Sequence, residues 1–598
     1  MHTDSIILLN EVRSLSNIFS QVGVSLPGIF MNGGIFMIKL QVRKSVQVKR
    51  CKSSLFITLP YDAKLIGLIK AIPVRYYDAK TREWEIHSKY FDNVLEMFQE
   101  YDIEIIGDLP KDAEKALEIA DRFDSIGTEG FEFKTTPFDH QLESFHFAMN
   151  HRKFLLGDEQ GLGKTKQSID IAVARKNQFK HCLIVCCVNG LKWNWQKEVG
   201  IHSNEKAHIL GEYTNTKGNK IIGSVKRRLE DLKCDRDEFF LVTNIETLRH
   251  KDIVAALKGL CEEGIIGMVI IDEIHKCKNS TSVQGKAIHS LNSYYKIALT
   301  GTPLMNSPID LYNILKWLDA EHHTLSQFKN YYCEMGGFGG YEIVGYKHLP
   351  ELQANLDRVM LRRKKDEVLD LPPKVRTIEY VEMSTKQAKL YEEIKASIVQ
   401  NIDKVMLSPN PLVELIRLRQ CTGYPGILSS SITDSVKVDR LLELVEEAVS
   451  NNEKVIVFSN WTSVTEPVFK ALSKYRPAII TGETKNRAAE EHKFQNDPKC
   501  KVIIGTIQAM GTGLTLTAGS TVIFLDSPWN RANKEQAEDR AHRIGTTKTV
   551  NIITLVAKDT IDERIENLVE SKGHMSDVIV DKFTDGKVDR TMVDFLLS

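Results

Sequence analysis

The sequence of 598 residues has no net charge, 79 Lys and Arg being balanced by 79 Asp and Glu. Bulk basicity is therefore absent, and any polyanionic partner has to be met by local basic surfaces. None of the ten cysteines stands in a CxxC pair or in a Cys/His cluster with zinc spacing, which excludes a zinc ribbon and a dithiol redox centre. Cys186 and Cys187 sit inside an apolar run. They read as reduced, buried strand residues and point to the cytoplasm, in a bacterium or a viral host. No uninterrupted apolar stretch reaches bilayer length, so no membrane role is expected. Residues 18–38 mix apolar residues with Pro27, Gly28, Asn32, Gly33 and Gly34 and lack a basic stretch before an apolar core, which argues against a signal peptide. Residues 1–36 are an extension of uncertain status, with Met37 an alternative start. No short-period repeat is present.

What is there is a globular composition, 42% hydrophobic, in a chain long enough for three or four domains at about 100–200 residues each. Residues 37–110 read as a small α+β module. Its alternating stretch over 38–60 gives two strands, a helix follows near 62–71, VRYYDAKTREWEIH gives two more strands around an Asp-Ala-Lys-Thr turn, and a helix at about 89–101 closes it. Residues 111–135, charged and containing Gly127 and Gly130, read as a helix plus linker. Over 136–320, buried apolar runs such as HCLIVCCV, FFLVTNI and GMVIIDE alternate with helical segments, the pattern of a parallel sheet covered on both faces. The pattern returns over 436–570 in KVIVFSN, KVIIGT, TVIFLD and NIITLVA. Residues 321–435 between them are charged and more helical, and 571–598 form a tail. The fold class is α/β, with two similar lobes in tandem, helical insertions and the N-terminal α+β module.

The stretch GDEQGLGKT (157–165) follows an apolar strand and precedes an apolar-periodic helix, the context of a phosphate loop. Gly161 and Gly163 would let main-chain N–H groups approach phosphate oxygens. Lys164 would reach the β- and γ-phosphates of ATP, and Thr165 would hold Mg²⁺. The strict GxxxxGK[ST] pattern fails because its first position is Asp158, and taken alone the stretch is also compatible with a Gly-rich turn. In GMVIIDEIH (267–275), apolar residues run straight into Asp272 and Glu273 at the edge of a parallel sheet where ligands bind. Asp272 would hold Mg²⁺ and Glu273 would orient or deprotonate a water; an ordinary solvated acidic pair is the alternative. Thr300 and Thr302 in ALTGTP (298–303) could link the γ-phosphate to lobe movement, with Gly301 between them. In QAEDRAHRIG (536–545), Arg540 and Arg543 lie three apart and would share a helix face. They would serve as arginine fingers reaching across a cleft, or else belong to a surface ion-pair helix with Glu538 and Asp539.

Together, over about 135–570, these stretches resemble superfamily-two helicases, and more narrowly the Swi/Snf-related ATPases. PFDHQLESFHFA (137–148) is similar to the opening glutamine motif, GDEQGLGKT to the DE-x-GLGKT loop, DEIH to DEAH, and LVTNIETLR (241–249) to motif Ib. MLRRKKDEVLDLPPK (360–374) resembles a brace specific to this family. VKVDRLLELVEEAV (436–449), VIVFSNWTSV (455–464) and QAEDRAHRIG also fit. The resemblance implies two RecA-like P-loop lobes that hydrolyse ATP with Mg²⁺. Gln141 would read adenine, and Asp158, Glu159, Gly161, Leu162, Gly163, Lys164, Thr165 and Gly513 would line the nucleotide. Duplex DNA would lie across both lobes on Lys192, Trp193, Asn194, Thr243, Thr247, Ser459 and Thr506, chiefly through its phosphates. Departures from the pattern are Gln160 for methionine, Val188 for proline, Met510 for glycine, Thr515 for asparagine and Thr546 for glutamine; none removes a catalytic group.

Residues 59–98 are similar to the HARP substrate-recognition module of annealing helicases, through Ile72-Pro73, Tyr77-Asp78, Lys80-Thr81 and Trp84. Trp84 reads either as a stacking platform for a base or as the plug of a small core. The strand bearing Lys39, Arg43, Lys44, Lys49, Arg50 and Lys52 reads either as a phosphate track or as a lysine-protected edge. The function expected is that of a monomeric DNA-dependent ATPase translocating on duplex, forked or branched DNA. A remodeller displacing proteins from DNA, a strand-separating RNA helicase and a non-hydrolysing scaffold are the alternatives.

Overall fold

The computed structural model describes residues 131–570 except 188–190, 215–219, 278, 302–307, 337–341, 403–411, 512 and 530, together with 595–597. It also describes 37–106 except 45, 48–52, 60–61, 71, 73–74, 88–89, 92–93, 95–96 and 99–101. The extension 1–36, the linker 107–130 and most of the tail lie outside the described residues, as does most of the helix expected at 89–101. The chain divides into two compact units, Met1–Ile66 with Val74–Pro110, and Gly67–Pro73 with Lys111–Ser598.

The first unit holds a five-stranded sheet in the order Arg75–Asp78, Glu83–His87, Ser53–Thr58, Met37–Lys44, Asp102–Ile106. The last strand, parallel to Met37–Lys44, was not evident in the sequence. It makes Met37–Lys44 an interior strand, so the lysine-protected-edge reading fails. Arg43 stacks over Phe56 at 4.1 Å and pairs with Glu83 at 2.5 Å, while Lys49, Arg50 and Lys52 lie outside the described residues. Trp84 is half-buried, opposite Ile57 in the sheet register, with its ring 4.8 Å from that of Tyr77. That placement suits a core plug, because Ile57 is fully buried and paired residues share a face.

The second unit contains two all-parallel sheets. One runs in the order Met360–Leu361, Lys153–Leu156, Tyr295–Leu299, Ile266–Asp272, His181–Cys186, Phe240–Asn244, Ala207–Ile209. The other runs Lys374–Val381, Val550–Ala557, Thr521–Phe524, Val455–Ser459, Val502–Thr506, Ala478–Ile480. Both faces of each sheet are covered, which is why the central strands are nearly continuous apolar runs. In the first sheet Leu155, Leu183, Val185 and Val269 pack on one side, and Phe154, Leu156, Ile184 and Ile270 on the other, the period-two alternation of a strand.

Residues 321–435 carry helices, among them Leu349–Val359 and Thr385–Gln400, and strands that the expected helical insert did not include. They include a hairpin of Cys333–Gly336 with Glu342–Tyr346, and they donate one strand to each large sheet. Met360–Leu361 extends the first sheet and Lys374–Val381 edges the second. Lys374–Val381 is mostly exposed and interleaves charges with apolar residues, so it carries no buried-strand signature for a periodicity reading to find. The segment between these two strands therefore ties the lobes together.

Candidate nucleotide site between two lobes

The strand Lys153–Leu156 runs into the loop 157–163, which opens the helix Lys164–Ala174. Gly161 (φ +88°) and Gly163 (φ +81°) are left-handed, a conformation glycine adopts without steric cost. A β-carbon on Gly163 would lie 2.5 Å from Gln141 Nε2, and one on Gly161 would lie 3.1 Å from both Arg543 Cβ and Lys365 Cε. The peptide of Leu162 is fixed by His140 Nε2 at 2.9 Å from its carbonyl oxygen and by donation from Gln167 Nε2 at 3.0 Å and Gln141 Nε2 at 3.3 Å. Gln141 Oε1 in turn accepts from Phe138 N at 3.2 Å, so both ends of this amide are engaged within the protein. Lys164 Nζ donates to the carbonyls of Asp158 (2.6 Å) and Glu159 (3.3 Å). Burial lowers its pKa, opposed by Glu273, Asp158 and Asp272. Thr165 follows in the first helical turn.

Asp272 ends the strand Ile266–Asp272 and accepts a hydrogen bond from Trp195 Nε1 at 2.9 Å. Burial, and then the neighbouring Glu273 charge, push its carboxyl up to about 6, as desolvation and like charge do. Glu273 has φ +54°, a left-handed backbone on a non-glycine residue, of the kind that concentrates at functional sites. Its Oε2 lies 3.2 Å from His275 Nδ1, and its Oε1 accepts from Gln536 Nε2 of the second lobe at 3.5 Å. His275 Nδ1 is also 3.0 Å from Thr300 Oγ1. A β-carbon on Gly301 would lie 2.4 Å from Gln160 Cγ, so this turn packs directly on the phosphate loop. Thr302 lies outside the described residues.

The two arginines arrive from the second lobe. The helix Arg531–Glu538 ends before them, so they sit on the turns that follow rather than on the helix face the spacing suggested. Arg540 donates from Nη2 to Gln160 Oε1 at 3.3 Å, across the cleft, and from Nε to Gln536 O at 3.2 Å. Arg543 donates from Nη1 to Thr515 Oγ1 at 3.1 Å and Leu514 O at 3.4 Å. Burial and the adjacent Arg543 bring the Arg540 guanidinium down to about 10. Glu538 is 0% exposed and Asp539 5%, which removes the surface ion-pair helix. Gly513 (φ +73°) also faces the first lobe, where a β-carbon on it would lie 2.5 Å from Leu191 Cδ2.

Several side chains at the site had no role assigned by motif reading. Arg363 forks onto Asp158, Nε to Oδ1 at 3.1 Å and Nη2 to Oδ2 at 2.7 Å, and also binds His140 O and Ser144 Oγ. The main chain of the same segment pairs with the loop, Gly157 N donating to Leu361 O and Glu159 N to Arg363 O. The consecutive basic residues of MLRRKKDEV were the only sequence signal for this. Trp195, Gln167 and His275 carried none beyond their place near a motif.

The side chains expected to meet DNA fare unevenly. Trp193 is exposed at 37% and Asn194 half-buried. Lys192 is buried, with Nζ 3.5 Å from Asn244 Oδ1. Thr243 is buried, and Thr247 bonds Asn244 Oδ1 at 2.6 Å. Ser459 donates to Asp526 at 2.7 Å, and Thr506 caps the helix Ile507–Met510.

No ligand accompanies the chain, but the donor set fits a magnesium-bound nucleoside triphosphate. Lys164 and the glycine loop would take the phosphates, Arg540 reaches the same loop from the second lobe, and Thr165 and Asp272 supply a hydroxyl and a carboxylate suited to Mg²⁺. Among the described residues no helix is long and apolar enough to cross a membrane.

Comparisons with known proteins identify the family. A profile of the SNF2-related domain matches residues 77–427, and one of the helicase conserved C-terminal domain matches 436–545. The chain is 28% identical over 80% of its length to an uncharacterized ATP-dependent helicase of Mycoplasma pneumoniae, of which it spans 45%. It is 27% identical over 86% of its length to a SWI/SNF-related matrix-associated actin-dependent regulator of chromatin subfamily A-like protein 1 homolog of Caenorhabditis elegans, spanning 72% of that protein. Against a mouse chromodomain-helicase-DNA-binding protein 1-like protein it is 28% identical over 72% of its length and spans 48%. The chain thus spans about half the length of two of these three relatives. A solved Sulfolobus solfataricus SWI2/SNF2 ATPase core in complex with dsDNA is 25% identical, covering 77% of this chain and 97% of that one. Its TM-score of 0.35 is too low to carry an argument.

Proposed function

The chain belongs to the SNF2-related family of helicase-like ATPases, and from that premise we propose that it is a DNA-dependent ATPase. It hydrolyses ATP with water to ADP and phosphate in the cleft between its lobes and uses the cycle to move along duplex or branched DNA. One observation carries this reading: Arg540 and Gln536 of the second lobe reach Gln160 and Glu273 of the first, so the phosphate loop, the acidic strand end and the arginines meet in one place.

In this reading the loop N–H groups and Lys164 bind the β- and γ-phosphates, while Thr165 and Asp272 would hold Mg²⁺, whose charge would offset that of the phosphates. Glu273 orients the attacking water and accepts its proton, positioned by His275. Arg540 and Arg543 stabilise charge developing on the transferred phosphoryl group. Gln141 fixes the loop through Leu162 O and stands at the adenine side. Trp193 offers an exposed surface to DNA. The N-terminal unit acts as a HARP-like module selecting forked or branched structures, and the protein works as a monomer in the cytoplasm. A remodelling role on protein–DNA complexes is supported only by the names of relatives.

Phosphate release by the full chain, measured with no DNA, single strands, duplex and forked DNA, tests this. Stimulation by duplex or fork, abolished by Glu273→Gln, is expected. No stimulation by any DNA would sink the motor, and equal stimulation by every form would remove the branch preference.

A further inference from the structure

Lys365 lies outside every catalytic motif, yet it touches both lobes. Its main-chain N–H donates to Glu159 Oε2 of the phosphate loop at 2.8 Å. Its side chain runs past Gly161, where a β-carbon would meet Lys365 Cε at 3.1 Å and Nζ at 3.4 Å. The ammonium then pairs with Asp539 Oδ1 at 2.6 Å and donates to His542 O at 3.1 Å. Asp539 immediately precedes Arg540, and His542 immediately precedes Arg543. One cation thus binds the residue before each arginine while its own backbone is fastened to the phosphate loop.

We propose that Lys365 is a positioning residue, an inter-lobe latch that sets the two arginines at a fixed distance from the phosphate loop when the cleft is closed. This rests on the cleft being the ATP site. The pair is almost dry, with side chains 7% and 6% exposed, so its charges are weakly screened and its geometry is stiff. Burial lowers the Lys365 pKa and Asp539 opposes the shift; without this carboxylate only the weaker attraction of Glu159 would stand against burial and Lys374. The segment's other end cannot slip, because Arg363 grips Asp158 with a two-pronged bond whose planar fork fixes orientation as well as distance. Lys374 and Arg376 add bonds to Glu538, and Lys374 Nζ also lies 3.5 Å from Asp539 Oδ1, so the acidic pair ahead of Arg540 has a second, longer hold from the strand Lys374–Val381. Breaking the latch removes no group that binds ATP and displaces groups that act on the transition state. The loss belongs in kcat and not in KM.

The test uses Lys365→Met, Asp539→Asn and the double variant in the full chain. Each single change is expected to lower DNA-stimulated kcat about tenfold or more with KM for ATP within about twofold. The double variant should be no worse than the worse single, the non-additivity of one shared contact. Unchanged kcat, a loss confined to KM, or losses that multiply in the double variant overturn the latch. If Lys365→Met does not fold, Asp539→Asn alone decides by the same split. Small-angle scattering with a non-hydrolysable ATP analogue reads closure directly: the variants should stay more open than the unaltered chain, and identical profiles overturn the proposal. If the unaltered chain hydrolyses no ATP, the ATPase reading fails, and scattering with magnesium alone still decides whether Lys365 holds the lobes together.

Discussion

The two lobes are built alike and treat charge in opposite ways. In the first, the strand Lys153–Leu156 feeds a glycine loop whose helix cap, Gly163, is left-handed. In the second, the strand Val455–Ser459 feeds a loop without glycine, and its helix cap Trp461 is extended at φ −116°. There Asp526 Oδ2 accepts Ser459 Oγ at 2.7 Å and Asn460 N at 2.8 Å. The second lobe turns its loop onto its own carboxylate, whereas in the first the loop carboxylate Asp158 is bound by Arg363, away from the glycines. Parallel sheets alone therefore do not make a phosphate site; a left-handed glycine backbone at the helix start does.

If that contrast is right, the largest effect comes from the first lobe. Lys164→Ala should lower DNA-stimulated phosphate release by about 10³-fold or more, since a charge on the β- and γ-phosphates is lost in a cleft of low dielectric. Retention of most activity would place the nucleotide elsewhere. Arg540→Ala and Arg543→Ala should each cut kcat by about 10³-fold while ATP affinity stays nearly constant, the signature of groups used only in the transition state. A rise in KM with kcat intact would make the second lobe a binding lobe and break the comparison.

The carboxylates sharpen it further, through stability and in opposite directions. Asp526→Ala strands the buried Ser459 hydroxyl and the Asn460 N–H, and should cost about 2–3 kcal/mol in chemical denaturation with little change in ATP affinity. Asp272→Asn should stabilise the metal-free protein. The folded pKa of Asp272 is raised from 3.8 to about 6, so the unfolded chain ionises more readily than the folded one. The penalty is therefore absent below pH of about 4, grows between the two pKa values, and is full above about 6. Allowing for solvent screening, the gain at pH 8 in chelator is on the order of 1–2 kcal/mol, and it should vanish at pH 3.5. A stability gain equal at both pH values would mean that Asp272 is not held against its charge.

Much of the first lobe was legible because its signals are local. Buried parallel strands announce themselves as apolar runs, a strand–glycine–helix order needs only adjacent residues, and Asp272 and Glu273 follow directly from the strand they end. The second lobe's sheet was equally plain. Lys374–Val381 was not, because an edge strand exposed on most positions resembles any charged segment. The placement of Arg540 and Arg543 past the helix end escaped notice because their three-residue spacing suits a helical face and a turn alike. The short parallel strand Asp102–Ile106 gave no period long enough to recognise, and its presence is what put Met37–Lys44 in the sheet interior.

The sequence by itself determined which chemical groups this protein possesses and where each sits along a strand, loop or helix, since propensity, periodicity and glycine conformation act over a few residues. Only the tertiary structure decided which of those groups are partners. Arg363 finds Asp158 across 205 residues, Lys365 finds His542 across 177, and Arg540 finds Gln160 across 380. An ion pair or hydrogen bond forms over about 3 Å, a distance fixed by the path of the chain through two sheets and the segment that joins them. No local rule of sequence supplies that path.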